Sequence, residues 1–185
     1  MNTIVKDPLL ATGRIITLIA QALLAVGALG CFAAAVVIPF ARDSITSELR
    51  EEFDSASLVF PASQVTGLMI LAVVVLILTF VFFKRLRAVI DTVGLGDPFQ
   101  HENARRLTDM AWLMLAAQIM SAIAAFVGVR VILWLAQYDD ELPASVAEEI
   151  DWVDFGSVVL VIVLFILARV FRHGAAMRDD LEGTV

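Results

Sequence analysis

Apolar and polar positions along the chain fall into long blocks with little short-range alternation. The first block, Ile15 to Phe40, holds 26 residues without a charge. As a helix it would be about 39 Å long, more than the ~30 Å hydrocarbon core of a bilayer. A cleaved signal peptide is the rival reading, because Ala33, Ala34 and Ala35 are small. The apolar region of such a peptide covers only about 7 to 15 residues, which favours a retained span. The second block, Val65 to Phe83, is 19 residues long and stops at Lys84, Arg85 and Arg87. The third, Met110 to Leu135, contains Arg130, and the fourth, Trp152 to Phe171, has Asp154 and Arg169 near its ends. The pattern predicts an all-α polytopic membrane protein, a single domain over 1–185 with four transmembrane helices in two hairpins. Expected spans are 15–40, 65–83, 110–135 and 152–171, with a cytosolic linker over 84–109 and a C-terminal helical extension over 172–185.

Charge then orients the spans, since lysine and arginine collect in cytoplasmic loops. Ten basic residues lie on one side: Lys6, Arg14, Lys84, Arg85, Arg87, Arg105, Arg106, Arg169, Arg172 and Arg178. The other two linkers hold only Arg42 and Arg50 against twelve acids, from Asp43 to Asp54 and from Asp139 to Asp154. Both termini are therefore expected on the cytoplasmic side of the membrane. The net charge of −7 averages over two faces of opposite character.

Helical spacing continues beyond two of the spans. Phe82, Leu86, Val89 and Val93 form one stripe and Val170, Gly174, Met177 and Leu181 another, so two parallel amphipathic extensions are expected on the cytosolic side. Their charges are complementary, with Lys84, Arg85 and Arg87 on one and Asp179, Asp180 and Glu182 on the other. In the outer linker, Ser145 with Glu148 after Pro143 reads as a capping box.

Composition agrees with a membrane class. Counted with Gly and without Tyr, about 65% of residues are apolar, against roughly 45 to 50% in soluble domains. The single cysteine, Cys31, can form no intramolecular disulfide, and His101 and His173 lack the companions of a zinc site. No nucleophile elbow, phosphate loop or paired acid and base is present, so neither catalysis nor a cofactor is expected. No carboxylate lies deep in a span; Gln21, Gln118 and Ser121 are the most polar residues there. Small residues at four-residue steps, Gly27, Cys31 and Ala35, then Ala117, Ser121 and Ala125, suit close helix packing better than conduction.

The most distinctive stretch runs Leu95, Gly96, Asp97, Pro98, Phe99, Gln100, followed by Asn103, Arg105, Arg106 and Leu107. Gly94 and Gly96 would end one helix, Asp97 cap the next, Pro98 occupy its first turn and Gln100 complete the cap. Phe99 and the Asn103 amide are left over, and the stretch reads either as a structural clasp or as a ligand site, the clasp being favoured. At the outer interface Arg130 can snorkel towards Asp151 or Asp154, while Trp134, Tyr138 and Trp152 sit where aromatic anchors settle.

The Gly96, Asp97, Pro98, Phe99 run with Asn103, Arg106 and Leu107 is similar to the bacterial membrane family called domain of unknown function 2975. So is the ending Leu167 to Arg172 with Gly174, Asp180, Leu181 and Glu182. The resemblance covers the chain from the second span onwards; the first hairpin shows no matching motif. It implies four spans in a plasma membrane, a gene often beside one for a small helix-turn-helix regulator, and no known reaction. The combined expectation is a non-enzymatic regulatory protein. Its partners would be the lipid bilayer, a small helix-turn-helix transcriptional regulator and a second copy in a homo-oligomer, with no direct nucleic-acid contact. Docking would use Gly96, Asp97, Pro98, Phe99, Asn103, Arg105, Arg106, Arg169, Arg172 and Gly174. The competing expectation is a small oligomeric transporter or a lipid-binding membrane subunit.

Overall fold

Long runs of good helix formers without interior charge leave each backbone N–H and C=O only one way to be satisfied in hydrocarbon, the i to i−4 ladder. The computed structural model, which describes residues 8–96, 98–138 and 155–182, follows this rule. Its elements are α1 (Pro8–Glu52), α2 (Ala62–Gly94), α3 (His101–Leu135) and α4 (Phe155–Glu182). All four are long and apolar enough to cross a membrane, and the fold is all-α among the described residues. Leu23, Val26, Leu29 and Phe32 of α1 are exposed, as are Val159, Ile162 and Ile166 of α4. In water such a surface would be a liability, whereas lipid tails are as apolar as leucine and cover it without cost.

Helix α1 is 45 residues long and passes through Pro39 without ending. Proline removes one ladder hydrogen bond, which membrane helices tolerate. The charged segment after Phe40 is thus helical to Glu52. Beyond it, Asp54 takes a left-handed φ of 42° and turns the chain.

The chain divides into two compact units: Met1–Ala25, Ile77–Ala117 and Phe155–Val185 form the first, and Val26–Leu76 with Gln118–Asp154 the second. In the second, the 53–61 linker folds onto the end of α1. The Arg50 Nε donates to the Leu58 carbonyl at 2.7 Å, and the Phe60 N–H donates to the Thr46 hydroxyl at 3.4 Å. Leu58 is fully buried. A methyl group on Gly27 would sit 3.6 Å from Leu76, so α1 and α2 approach closely there. Phe60 meets Trp134 edge-on at 6.4 Å between centroids, and Trp134 meets Tyr138 at 5.6 Å. The Arg130 guanidinium lies 5.9 Å from the Phe126 ring one turn earlier on α3. Asp151, Trp152 and Asp154, and the Ser145 capping box, lie outside the described residues.

In the first unit, the core is built from Leu107, Met110 and Ala111 of α3 and Leu164 and Ala168 of α4, flanked by Phe82 and Leu86 of α2 and by Phe165 and Phe171. The α4 face that packs is Val161, Leu164, Ala168 and Ala175, at steps of three, four and seven. This corrects the expected stripe: Val170 and Met177 are 54% and 52% exposed. Small Ala168 and Ala175 admit neighbouring side chains, so close approach, and not residue hydropathy, selects the inward face. The expected attraction between the two extensions is also replaced. Arg85 faces Asp109 of α3 at 3.5 Å, and Asp179 faces His101 at 3.7 Å. The side chains of Leu181 and Glu182 lie outside the described residues.

Candidate functional site

The corner between α2 and α3 is assembled by backbone rules first. Helix α2 ends at Gly94, and Gly96, at φ 83°, occupies the left-handed conformation that a side chain would penalise. The N–H groups of Leu95 and Gly96 donate to the carbonyls of Thr92 and Val93. Helix α3 starts at His101, with the N–H groups of Asn103 and Ala104 donating to the Gln100 carbonyl. Gln100 is therefore the capping position, and Pro98 precedes the helix and does not occupy its first turn. Asp97 lies outside the described residues.

Asn103 is 0% exposed and ties the corner together. Its Nδ2 donates to the Pro98 carbonyl at 2.9 Å. Its Oδ1 accepts from the Thr92 hydroxyl at 3.0 Å and from the Arg106 guanidinium at 2.9 Å. The Thr92 hydroxyl has one hydrogen and three acceptors in reach, since the Val89 and Ala88 carbonyls lie 2.8 and 3.2 Å away. The Arg106 guanidinium also donates to the Ala88 carbonyl at 3.3 Å, and to Glu102 at 2.7 Å as an i, i+4 pair. One Asn103 amide hydrogen is thus committed to Pro98 and one lone pair of its oxygen to Arg106, while the other shares the single Thr92 hydrogen with the Val89 and Ala88 carbonyls. This chemistry joins helices, and it leaves Asn103 and Arg106 little capacity to hold a ligand.

Phe99 carries the corner over to α4. Its ring lies 5.4 Å from that of Phe171 and covers Gly174 so closely that a methyl group there would approach Phe99 Cδ1 to 2.7 Å. The expected docking residues thus separate into two sets. Gly96, Pro98, Phe99, Asn103, Arg106 and Gly174 form the clasp, Phe99 keeping an exposed edge, whereas Arg105, Arg169 and Arg172 are exposed and take no part in it; Asp97 is not among the described residues. Leu95, 78% exposed at the turn, is an apolar residue that capping logic does not single out. Nothing in its neighbourhood in sequence reveals that exposure; only the turn geometry does.

A family model described as a protein of unknown function, DUF2975, matches residues 6–185. The chain belongs to this family. The match includes α1, so DUF2975 membership extends beyond the segments in which the motifs are recognisable by eye. Neither a curated protein nor a solved structure matches the chain. For a DUF2975 protein, the clasp gives its most distinctive motif a physical role: Gly96 turns the chain, Asn103 and Arg106 lock α3 to α2, and Phe99 with Gly174 locks the turn to α4.

Proposed function

We propose that this protein is a non-enzymatic regulator of the bacterial plasma membrane, arranged as two helical hairpins with both termini in the cytoplasm. In this reading it holds a small soluble helix-turn-helix regulator at its basic end. The observation that carries the reading is the rigid corner with exposed residues around it. The clasp immobilises the α2–α3 turn while Leu95 and Arg105 remain free to meet a partner. Orientation is supported by charge. The first unit holds ten basic and eight acidic residues, the second three basic and twelve acidic. The class of partner rests on the family resemblance. Direct DNA binding is disfavoured, because an anionic membrane surface competes for the same cations. Membrane binding of the regulator would remove it from promoters by mass action.

The test is capture of a soluble partner from crosslinked membranes, together with promoter occupancy of the neighbouring regulator with and without the protein. Leu95→Glu with Arg105→Glu should abolish capture and raise occupancy while thermal stability in detergent is unchanged. The alternative, a small oligomeric transporter or lipid-binding subunit, is favoured by the Nε2 atoms of Gln21 and Gln118 and the Thr66 hydroxyl. These are buried without a hydrogen-bond partner among the described residues, a costly state in hydrocarbon unless water or a solute supplies one. Unchanged occupancy, no captured partner and a solute flux lost on deletion would replace regulation with transport.

A further inference from the structure

Between α2 and α3 in the first unit lies an open groove of 360 Å³, lined by Val81, Arg85, Asp109, Trp112, Leu113 and Ala116. It is polar at one end and apolar along the rest. The polar end is the Arg85–Asp109 pair, whose atoms are 3.5 Å apart with both side chains about half exposed. From Asp109 to Ala116 the groove descends about 10 Å along α3, at 1.5 Å per residue. Away from that pair it is lined by Val81, Leu113 and Ala116, and the small Ala116 side chain occupies little of the space. Trp112 forms one wall; it is 60% exposed and braced edge-on against Phe165 at 5.5 Å.

We propose that this groove is a binding site for a phosphatidylglycerol-type phospholipid, an anionic phosphodiester whose headgroup carries hydroxyls, with one acyl chain lying along Trp112 and Ala116. The site lies at the end of the apolar run of α2, where Phe83 gives way to Lys84 and Arg85, the level at which lipid phosphates sit. Helical spacing adds Lys84 beside Arg85, on the side of α2 that carries Val81. It adds Arg105 one turn before Asp109, on the side of α3 that carries Trp112 and Ala116. Lys84 and Arg105 are exposed and form no ion pair with a described residue. The rim therefore has three cations and one acid, an excess that suits a net-anionic head over a zwitterionic one, whose phosphate is balanced by its own ammonium group. Asp109 offers acceptor oxygens beside Arg85, so a headgroup hydroxyl can donate to Asp109 while the phosphate accepts from Arg85. The site needs no soluble partner, although it shares Arg105 with the proposed docking end, and requires only that α2 and α3 cross a bilayer.

The experiment uses the full chain with Trp134→Phe and Trp152→Phe, leaving Trp112 as the sole indole, in bilayers containing lipids brominated on the acyl chain. Brominated phosphatidylglycerol should quench Trp112 at about one twenty-fifth the mole fraction needed for brominated phosphatidylcholine, taking about fivefold for each of the two cations in excess. Arg85→Gln should cut that preference about fivefold, and Ala116→Phe should weaken quenching by phosphatidylglycerol by filling the groove. Phosphatidylmethanol, with the same charge and no headgroup hydroxyl, should bind less well, and Asp109→Asn should narrow that gap. Arg172→Gln, a cation on α4, should change nothing. Equal quenching by phosphatidylglycerol and phosphatidylcholine would overturn the site, as would equal binding of phosphatidylglycerol and phosphatidylmethanol. A loss in Arg172→Gln matching that in Arg85→Gln would also overturn it, by reducing the preference to diffuse surface charge.

Discussion

Asn103 shows how much one amide can hold in place. A buried asparagine at the third position of α3 would ordinarily disfavour the helix, because its side chain competes for backbone partners. Here that competition is put to use: the amide nitrogen takes the Pro98 carbonyl, and the oxygen takes Thr92 and Arg106. Replacing it with alanine leaves a carbonyl and a guanidinium hydrogen without partners, and should cost about 1 to 3 kcal/mol. Asn103→Asp keeps both acceptor contacts but sets a carboxylate against the Pro98 carbonyl, so it should rescue only part of the loss. Thermal unfolding of the purified protein in detergent measures both; an aspartate variant as stable as the parent would show that the Pro98 contact contributes nothing. That Asn103 exceeds what a cap requires is readable in the sequence. That one partner is Thr92 is not, since side chains eleven residues apart meet only when the Gly96 turn brings α2 and α3 together; Arg106, three residues on in the same helix, follows from helical spacing.

At the scale of elements, the contact between the α2–α3 turn and α4 depends on the missing side chain of Gly174. Glycine inside a helix costs about 1 kcal/mol relative to alanine, so Gly174→Ala would stabilise an isolated α4. In the folded protein the new methyl group meets the Phe99 ring at 2.7 Å and must displace it. Overpacking of this kind costs about 1 to 3 kcal/mol, which equals or exceeds the helix gain. Gly174→Ala should therefore leave stability unchanged or lower it in the parent, and raise it in a Phe99→Ala background. A double-mutant cycle reads the coupling directly; additive effects would mean that Phe99 does not rest on Gly174. The same element shows why periodicity misplaced the inward face of α4. Several hydropathic stripes are equally compatible with a helix that is apolar all round, and the small residues Ala168 and Ala175 decide among them only once the faces of α2 and α3 are given.

At the scale of the whole molecule, the separation of charge predicts topology. With a basic first unit and an acidic second one, both termini should be cytoplasmic and the segment near Ser55 should lie outside. Cysteines placed singly at Ser55 and at Thr184, with Cys31 replaced, should label with a membrane-impermeant maleimide in whole cells only at position 55. Labelling at 184 in intact cells would invert the topology and move the proposed docking end out of the cytoplasm.

Sequence alone determined the number of long apolar helices, the uneven distribution of charge and the chain reversal at Gly96. Each depends on local quantities: transfer of a side chain out of water, the i to i−4 ladder, and the steric freedom of one residue. The motif that marks family membership was visible for the same reason, being contiguous in the chain. Tertiary structure decided which face of α4 is buried, that Arg85 faces Asp109, that Phe99 covers Gly174, and that Arg50 clamps the turn after α1. These outcomes require two surfaces far apart in sequence to meet. Lipid makes every apolar face acceptable, so hydropathy cannot rank them; packing of small residues and satisfaction of buried polar groups can.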